Sequence, residues 1–217
     1  MNRAPNFNRV ARIYAAMEKA TFGPWLWRCR CSFLPELTTQ RSGLVVGDGD
    51  GRFTAKLLEE NSLMLVDAVD ASTEMLHKLS CNAGLRAGRV RMHLADAREW
   101  EPENSAYDLI VTHFFLDCLT TAEVGTLAHK IRSHASANAV WVVSEFAIPK
   151  GWLGWLIARP LVLGLYGAFF VLTGLRVQRL PKYGEALVEA GWARLSEKKL
   201  LGGLLVSELW GTESQAE

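Results

Sequence analysis

Only four cysteines occur in the 217-residue chain, Cys29, Cys31, Cys81 and Cys118. Their irregular spacing, in a chain large enough to build its own core, excludes a disulfide framework. Cys29-x-Cys31 has neither a second cysteine pair nor a histidine at zinc spacing, so no metal site is expected and the two thiols read as buried or half-buried. Net charge is almost absent, +1 with histidine neutral. That argues against a nucleic-acid partner, and no added recognition domain offsets it. The N-terminus lacks an apolar segment followed by a small-residue cleavage site, so no secretory signal is expected and the cytoplasm is the expected location. A long uncharged run is missing too. Pro160 to Leu175 is 16 residues, about 24 Å as a helix against a hydrocarbon core of about 30 Å.

What is present reads as one α/β domain. With 49% hydrophobic and 22% charged residues the chain can bury one substantial core. Residues 1–41 form a basic helical arm, seven Lys or Arg against two acids, with helices expected from Phe7 to Ala20 and from Pro24 to Phe33, where Pro35 stops the second. Residues 42–150 alternate apolar strands with helices. Strands are expected at Gly43–Val46, Leu63–Val69, Arg89–Leu94, Tyr107–Thr112 and Val140–Phe146, and helices at Phe53–Glu60, Ser72–Ala83 and Thr121–His134. Continuous apolar strands separated by helices imply a doubly wound, Rossmann-like, mostly parallel sheet covered on both faces. Residues 181–217 supply a last helix and a hairpin about Gly202-Gly203 that makes the seventh strand antiparallel. Between them, the apolar segment 151–180 reads as a buried helix, a lid over an apolar pocket, or an interfacial segment in peripheral contact with a membrane.

The chemistry starts where strand Leu44-Val-Val46 runs into Gly47-x-Gly49-x-Gly51 and then a helix, the context of a nucleotide-binding turn. A dinucleotide fold needs its third glycine at position 52, which is Arg52. Asp48 and Asp50 make the turn acidic, which suits a cationic ligand better than a pyrophosphate. Asp70 ends the second strand 19 residues beyond Gly51, placed to accept both ribose hydroxyls. An N-cap is the competing role for Asp70, although Ser72 and Thr73 can fill it. Asp96 follows the next strand, where its carboxylate can take an adenine amino group and the Ala97 N–H a ring nitrogen; a plain turn residue is the alternative.

Through Leu44-Val-Val-Gly-Asp-Gly-Asp-Gly51, Val69-Asp-Ala-Ser-Thr-Glu-Met-Leu76, Ala95-Asp-Ala97 and Tyr107-Asp-Leu-Ile-Val-Thr112 the chain resembles the class I S-adenosylmethionine-dependent methyltransferases. Phe7-Asn-Arg-Val-Ala-Arg-Ile-Tyr14 and the last helix, glycine turn and final strand resemble the quinone-biosynthesis and small-molecule subgroup. The resemblance implies S-adenosyl-L-methionine as cofactor, S-adenosyl-L-homocysteine as product, and a cofactor site made by Tyr14, Gly47, Asp48, Gly49, Gly51, Asp70, Ala71, Met75, Asp96, Ala97 and His113. Val45 stands where family members usually carry an acid, and Asp48 is the residue available to replace it.

Methyl transfer is an in-line displacement that needs alignment and desolvation, with a general base added for carbon or oxygen nucleophiles. His113 and Asp117 in His113-Phe-Phe-Leu-Asp-Cys118 are the candidate bases, each with a structural alternative: a cofactor wall for His113, a helix N-cap for Asp117. Phe114, Glu145, Tyr166 and Tyr183 are the candidate substrate contacts, with core packing the alternative for the tyrosines. A small, hydrophobic acceptor is expected; a cofactor-binding but catalytically silent partner protein is the alternative. The oligomeric state is not legible in the sequence.

Overall fold

The computed structural model of the chain describes residues 22–103, 106–149 and 180–212. The expected helix at 7–20, Tyr14, the apolar segment and Tyr166 lie outside the described residues. In chain order the elements are α1 (Trp25–Arg30), β1 (Ser42–Val46), α2 (Arg52–Glu60), β2 (Leu65–Asp70), α3 (Thr73–Ala83), β3 (Val90–Leu94), β4 (Tyr107–His113), α4 (Thr121–His134), β5 (Ala135–Phe146), α5 (Tyr183–Glu189), β6 (Trp192–Leu200) and β7 (Leu205–Thr212).

The strands form one seven-stranded sheet in the order β3-β2-β1-β4-β5-β7-β6. β1 through β5 pair in parallel, while β7 lies antiparallel between β5 and β6. This is the expected Rossmann-like mixed sheet. The order turns back at β1, where chain crossovers leave toward β2 on one side and β4 on the other, opening a crevice at the carboxyl ends of the strands.

Alternation along each strand fills both faces. Leu44, Val46, Ile110, Trp141 and Val143 pack beneath α4 and α5. Val45, Leu109, Val111 and Val142 pack beneath α2 and α3. On the first face Trp141 donates its indole N–H to Thr112 Oγ1 at 2.9 Å, so the buried indole is satisfied. α4 starts with a capping box, in which Thr120 Oγ1 accepts from Glu123 N while the Glu123 carboxylate accepts from Thr120 N. No described helix is long and apolar enough to cross a membrane.

Two boundaries differ from expectation by three residues or more. Pro35 does not end the second N-terminal helix at Phe33: α1 stops at Arg30 and tightens into a 3₁₀ segment, Cys31–Glu36, that contains Pro35. In so short a 3₁₀ segment a missing N–H costs little. β5 begins five residues early, at Ala135, because Ala135 pairs with Tyr107 across a β-bulge.

Candidate active site

Gly47, Gly49 and Gly51 all adopt the left-handed conformation, with φ of 67°, 66° and 74°. Close approach by a ligand is only part of what they permit. A Cβ on Gly47 would stand 2.4 Å from the Phe115 ring, and one on Gly51 would stand 2.4 Å from Leu79 Cβ and 2.5 Å from Leu79 Cα. The turn is therefore pressed against the loop after β4 at one end and against α3 at the other.

Asp48 is buried and holds the start of α2. Its Oδ2 accepts Thr54 N at 2.9 Å and Thr54 Oγ1 at 2.6 Å. Its Oδ1 is buried with no partner among the described residues. Burial pushes the Asp48 carboxyl up to about 6, against the hydrogen bonds from Thr54 and the Arg30 guanidinium. A cationic group at the turn would satisfy that orphaned oxygen, so the residues present fit the ammonium end of S-adenosylmethionine. Arg52 pairs with Asp50 at 2.7 Å and lies over the Trp27 ring.

Asp70 ends β2 with Oδ1 accepting Ser72 N at 2.8 Å. Its other oxygen makes no contact with a described residue. Burial pushes its carboxyl up to about 6 as well. Helix capping is not its task, because Ser72 Oγ accepts Met75 N and caps α3. Ala71 follows Asp70 in the same turn, and Met75 is buried on the first turn of α3. Asp96 differs from expectation: Arg98 Nε contacts both of its carboxylate oxygens at 2.9 and 3.1 Å, and its backbone oxygen closes a turn with Glu99 and Trp100. That ion pair lowers the Asp96 carboxyl. The turn role is thus occupied, and Ala97 beside it is buried in the core beneath α4 and α5.

The two candidate bases do not come together. His113, the last residue of β4, faces α2, where its ring meets Phe53 edge-on at 4.4 Å. Neither ring nitrogen has a partner among the described residues, and burial followed by the Arg30 charge keeps the imidazole neutral. Glu145, on β5, faces the opposite side, where the charge and the backbone N–H of Asp117 act on it. Its Oε1 accepts Phe115 N at 3.1 Å and Leu116 N at 2.7 Å, lacing the loop after β4 to β5. Phe114 in that loop is held at φ 53°, a conformation rare for a non-glycine residue, with its own N–H on Ser144 O at 2.7 Å. Tyr183 is largely buried near Glu208 and Glu145, and burial pushes its phenol up.

Sequence reasoning missed Arg30 by counting it with a solvated basic arm. It is 1% exposed, sits over the Phe114 ring and biases both Asp48 and His113. Its helical spacing from Leu26 and Cys29, both buried, was the available signal. The thiols stand as expected: Cys29 is buried and Cys31 half-buried, raised to about 12 and about 11 by burial. Among the described residues no cluster of His, Cys, Asp and Glu could hold a metal.

Residues 44–138 match the family model described as a methyltransferase domain. The fold is a methyltransferase fold. A didemethyltoxoflavin N1-methyltransferase from Burkholderia thailandensis, solved with its substrate and S-adenosylhomocysteine, superposes with a TM-score of 0.65 at 18% identity, over 94% of this chain and 84% of its own. The N-methyltransferase NodS from Bradyrhizobium japonicum, also with S-adenosylhomocysteine, gives 0.63 at 14% identity over 93% and 98%. A family 2 O-methyltransferase from Planctomyces limnophilus, in complex with apigenin, gives 0.67 at 19% identity over 93% and 61%. The chain spans less than two thirds of that protein's length, as it does of the methyltransferase SibL, at 63%. No curated protein matches the chain by sequence. The domain match lies on the nucleotide-binding half of the sheet, and these solved structures share the fold of the chain.

Proposed function

We propose that the chain transfers the methyl group of S-adenosylmethionine to a small, hydrophobic acceptor. The observation that carries this reading is Asp70: a half-buried carboxylate beside the glycine turn, relieved of capping by Ser72, with one oxygen that accepts no hydrogen bond from a described residue. In this reading Asp70 accepts the ribose hydroxyls, Asp48 Oδ1 the methionine ammonium, and Ala71, Met75 and Ala97 line the adenosine, with the Ala97 N–H taking the adenine recognition that Arg98 denies to Asp96. His113, neutral and packed on Phe53, serves as wall. Asp117 serves as base, with Phe114, Glu145 and Tyr183 on the acceptor side. The apolar composition of 151–180, read as a lid, supports a lipophilic acceptor met in the cytoplasm or at a membrane surface. The N-terminal signature with Tyr14 supports nearness to the quinone-biosynthesis subgroup. The cofactor supplies an electrophilic methyl carbon on sulfur; the protein aligns, desolvates and removes a proton.

Titration calorimetry with S-adenosylmethionine and S-adenosylhomocysteine tests this. Both are expected to bind at neutral pH, and affinity is expected to fall as pH drops through about 6, where Asp48 and Asp70 take up protons and stop accepting as anions. The ligand-free protein shows the opposite sign. A carboxyl raised from 3.8 to about 6 favours the protonated folded state, so its contribution to stability is full below about pH 4 and lost as pH rises through about 6. Absence of binding by both ligands would sink the reading.

A further inference from the structure

We propose that Glu145 works in its protonated form and that, with Asp117, it makes a one-proton carboxyl pair that seats the hydroxyl group of a neutral acceptor. This rests on the methyl-transfer reading and names the acceptor class for it.

The geometry assigns different work to the two oxygens of Glu145. Oε1 accepts two backbone N–H groups, Phe115 N at 3.1 Å and Leu116 N at 2.7 Å, as a carbonyl oxygen does. Oε2 is buried with no partner among the described residues, on a side chain 1% exposed. A bare carboxylate oxygen in such a place is costly, whereas a hydroxyl there is a donor awaiting an acceptor. The position is the carboxyl edge of β5, on the face carrying Leu116 and opposite His113. Asp117, also buried, is the charge that acts most on Glu145. Among the described residues Cys118, Tyr183 and Cys29 also feel Glu145, each held neutral by burial, and Cys118 donates its thiol to Asp117 Oδ1 at 3.4 Å. Two buried acids with such neighbours share one proton rather than ionise together.

In the bound complex the Glu145 Oε2 hydroxyl donates to a lone pair of the acceptor heteroatom, and the Asp117 carboxylate accepts that heteroatom's own hydrogen. As the heteroatom bonds to the methyl carbon, the carbon–sulfur bond breaks with its electron pair left on sulfur. The acceptor's proton passes to Asp117, and Glu145 stays protonated throughout. Neutral phenols and alcohols fit this pair, because a hydroxyl oxygen has one lone pair to accept from Glu145 and a second to attack the methyl carbon.

The test uses the full chain carrying Glu145→Gln, Glu145→Ala or Asp117→Asn. The infrared difference between wild type and Glu145→Gln at neutral pH is expected to contain the stretch of a protonated carboxyl; its absence overturns the proposal, whatever the fate of the alanine variant. Methyl transfer to 2-naphthol and 2-naphthalenemethanol is then measured as probes of phenol and alcohol acceptors. Glu145→Ala is expected to raise KM about 30-fold, the loss of one strong buried hydrogen bond. Glu145→Gln should recover most of that rise and lack the alkaline fall in rate that ionisation of Glu145 gives the wild type. Asp117→Asn should lower kcat about 100-fold or more. A glutamine variant as impaired as the alanine variant, or a wild type that methylates neither probe, overturns the proposal. Calorimetry with S-adenosylhomocysteine separates the two levels. Intact binding with failed transfer overturns the acceptor pair alone, and lost binding in the wild type overturns the methyl-transfer reading beneath it.

Discussion

Replacement of Asp70 by alanine is expected to weaken S-adenosylhomocysteine binding about 100-fold. Two ribose hydroxyls donating to one anion make charge-assisted hydrogen bonds of about 1.5–3 kcal/mol each, and the pair shares one desolvation cost, so a net loss near 3 kcal/mol follows. The fold should survive, because Ser72 Oγ still caps α3 through Met75 N and Asp70 contributes a single hydrogen bond, to Ser72 N, from its side chain. Burial of that carboxyl also costs the empty protein something, as its upward shift to about 6 shows. Asp70→Ala is therefore expected to leave the melting temperature of the ligand-free protein at neutral pH equal to or above that of the wild type. Calorimetry and thermal melting on the same preparations check both halves. Undiminished affinity in a folded variant would remove Asp70 from the site.

The second large effect is structural. Gly51→Ala is expected to cost about 2–5 kcal/mol, the sum of about 1–2 kcal/mol for a left-handed non-glycine residue and about 1–3 kcal/mol for overpacking. The contact cannot be relieved by turning a side chain, because the new Cβ would stand 2.5 Å from Leu79 Cα, the backbone of α3. Against a total stability of about 5–15 kcal/mol such a loss is severe. Gly202→Ala provides the contrast. Its φ is 64°, but nothing lies within 4 Å of its added Cβ, so only the conformational cost of about 1–2 kcal/mol applies. Urea denaturation of both variants should show Gly51→Ala as the more destabilised by at least about 1 kcal/mol. Equal losses would mean that α3 yields freely at this contact.

Much of this architecture is legible in the sequence because its signals are local and agree with one another. β1 runs into Gly47 and β2 ends at Asp70, while α2 opens on the glycine turn and α3 and α4 open on Ser72 and Thr120, residues able to cap them. The turn, Asp70 and the final hairpin follow from such signals. The remainder depends on which way a side chain leaves the sheet edge. His113 and Asp117 are four residues apart, yet strand alternation sends His113 under α2 while the loop turns Asp117 back toward Glu145. The reach of Glu145 to two backbone N–H groups thirty residues away is a tertiary fact with no local trace. Asp96 shows the converse: Arg98, two residues on, competes for the carboxylate that sequence reasoning gave to a ligand. Arg30 was hidden by its charge, since a basic residue on an apolar helix face reads as an exception until its surroundings are seen.

The placement of β7 between β5 and β6 carries a consequence for assembly. β6 is made before β7 but has no partner in the sheet until β7 lies beside β5, so the parallel core cannot recruit β6 alone. The two strands reach the sheet together or not at all, as a ribbon already zipped about Gly202 and Gly203. Slack in that ribbon's turn would therefore act on the rate at which the sheet is completed rather than on the lifetime of the finished sheet. Until it docks, β5 presents an open edge, the surface on which two unfinished copies would most readily pair.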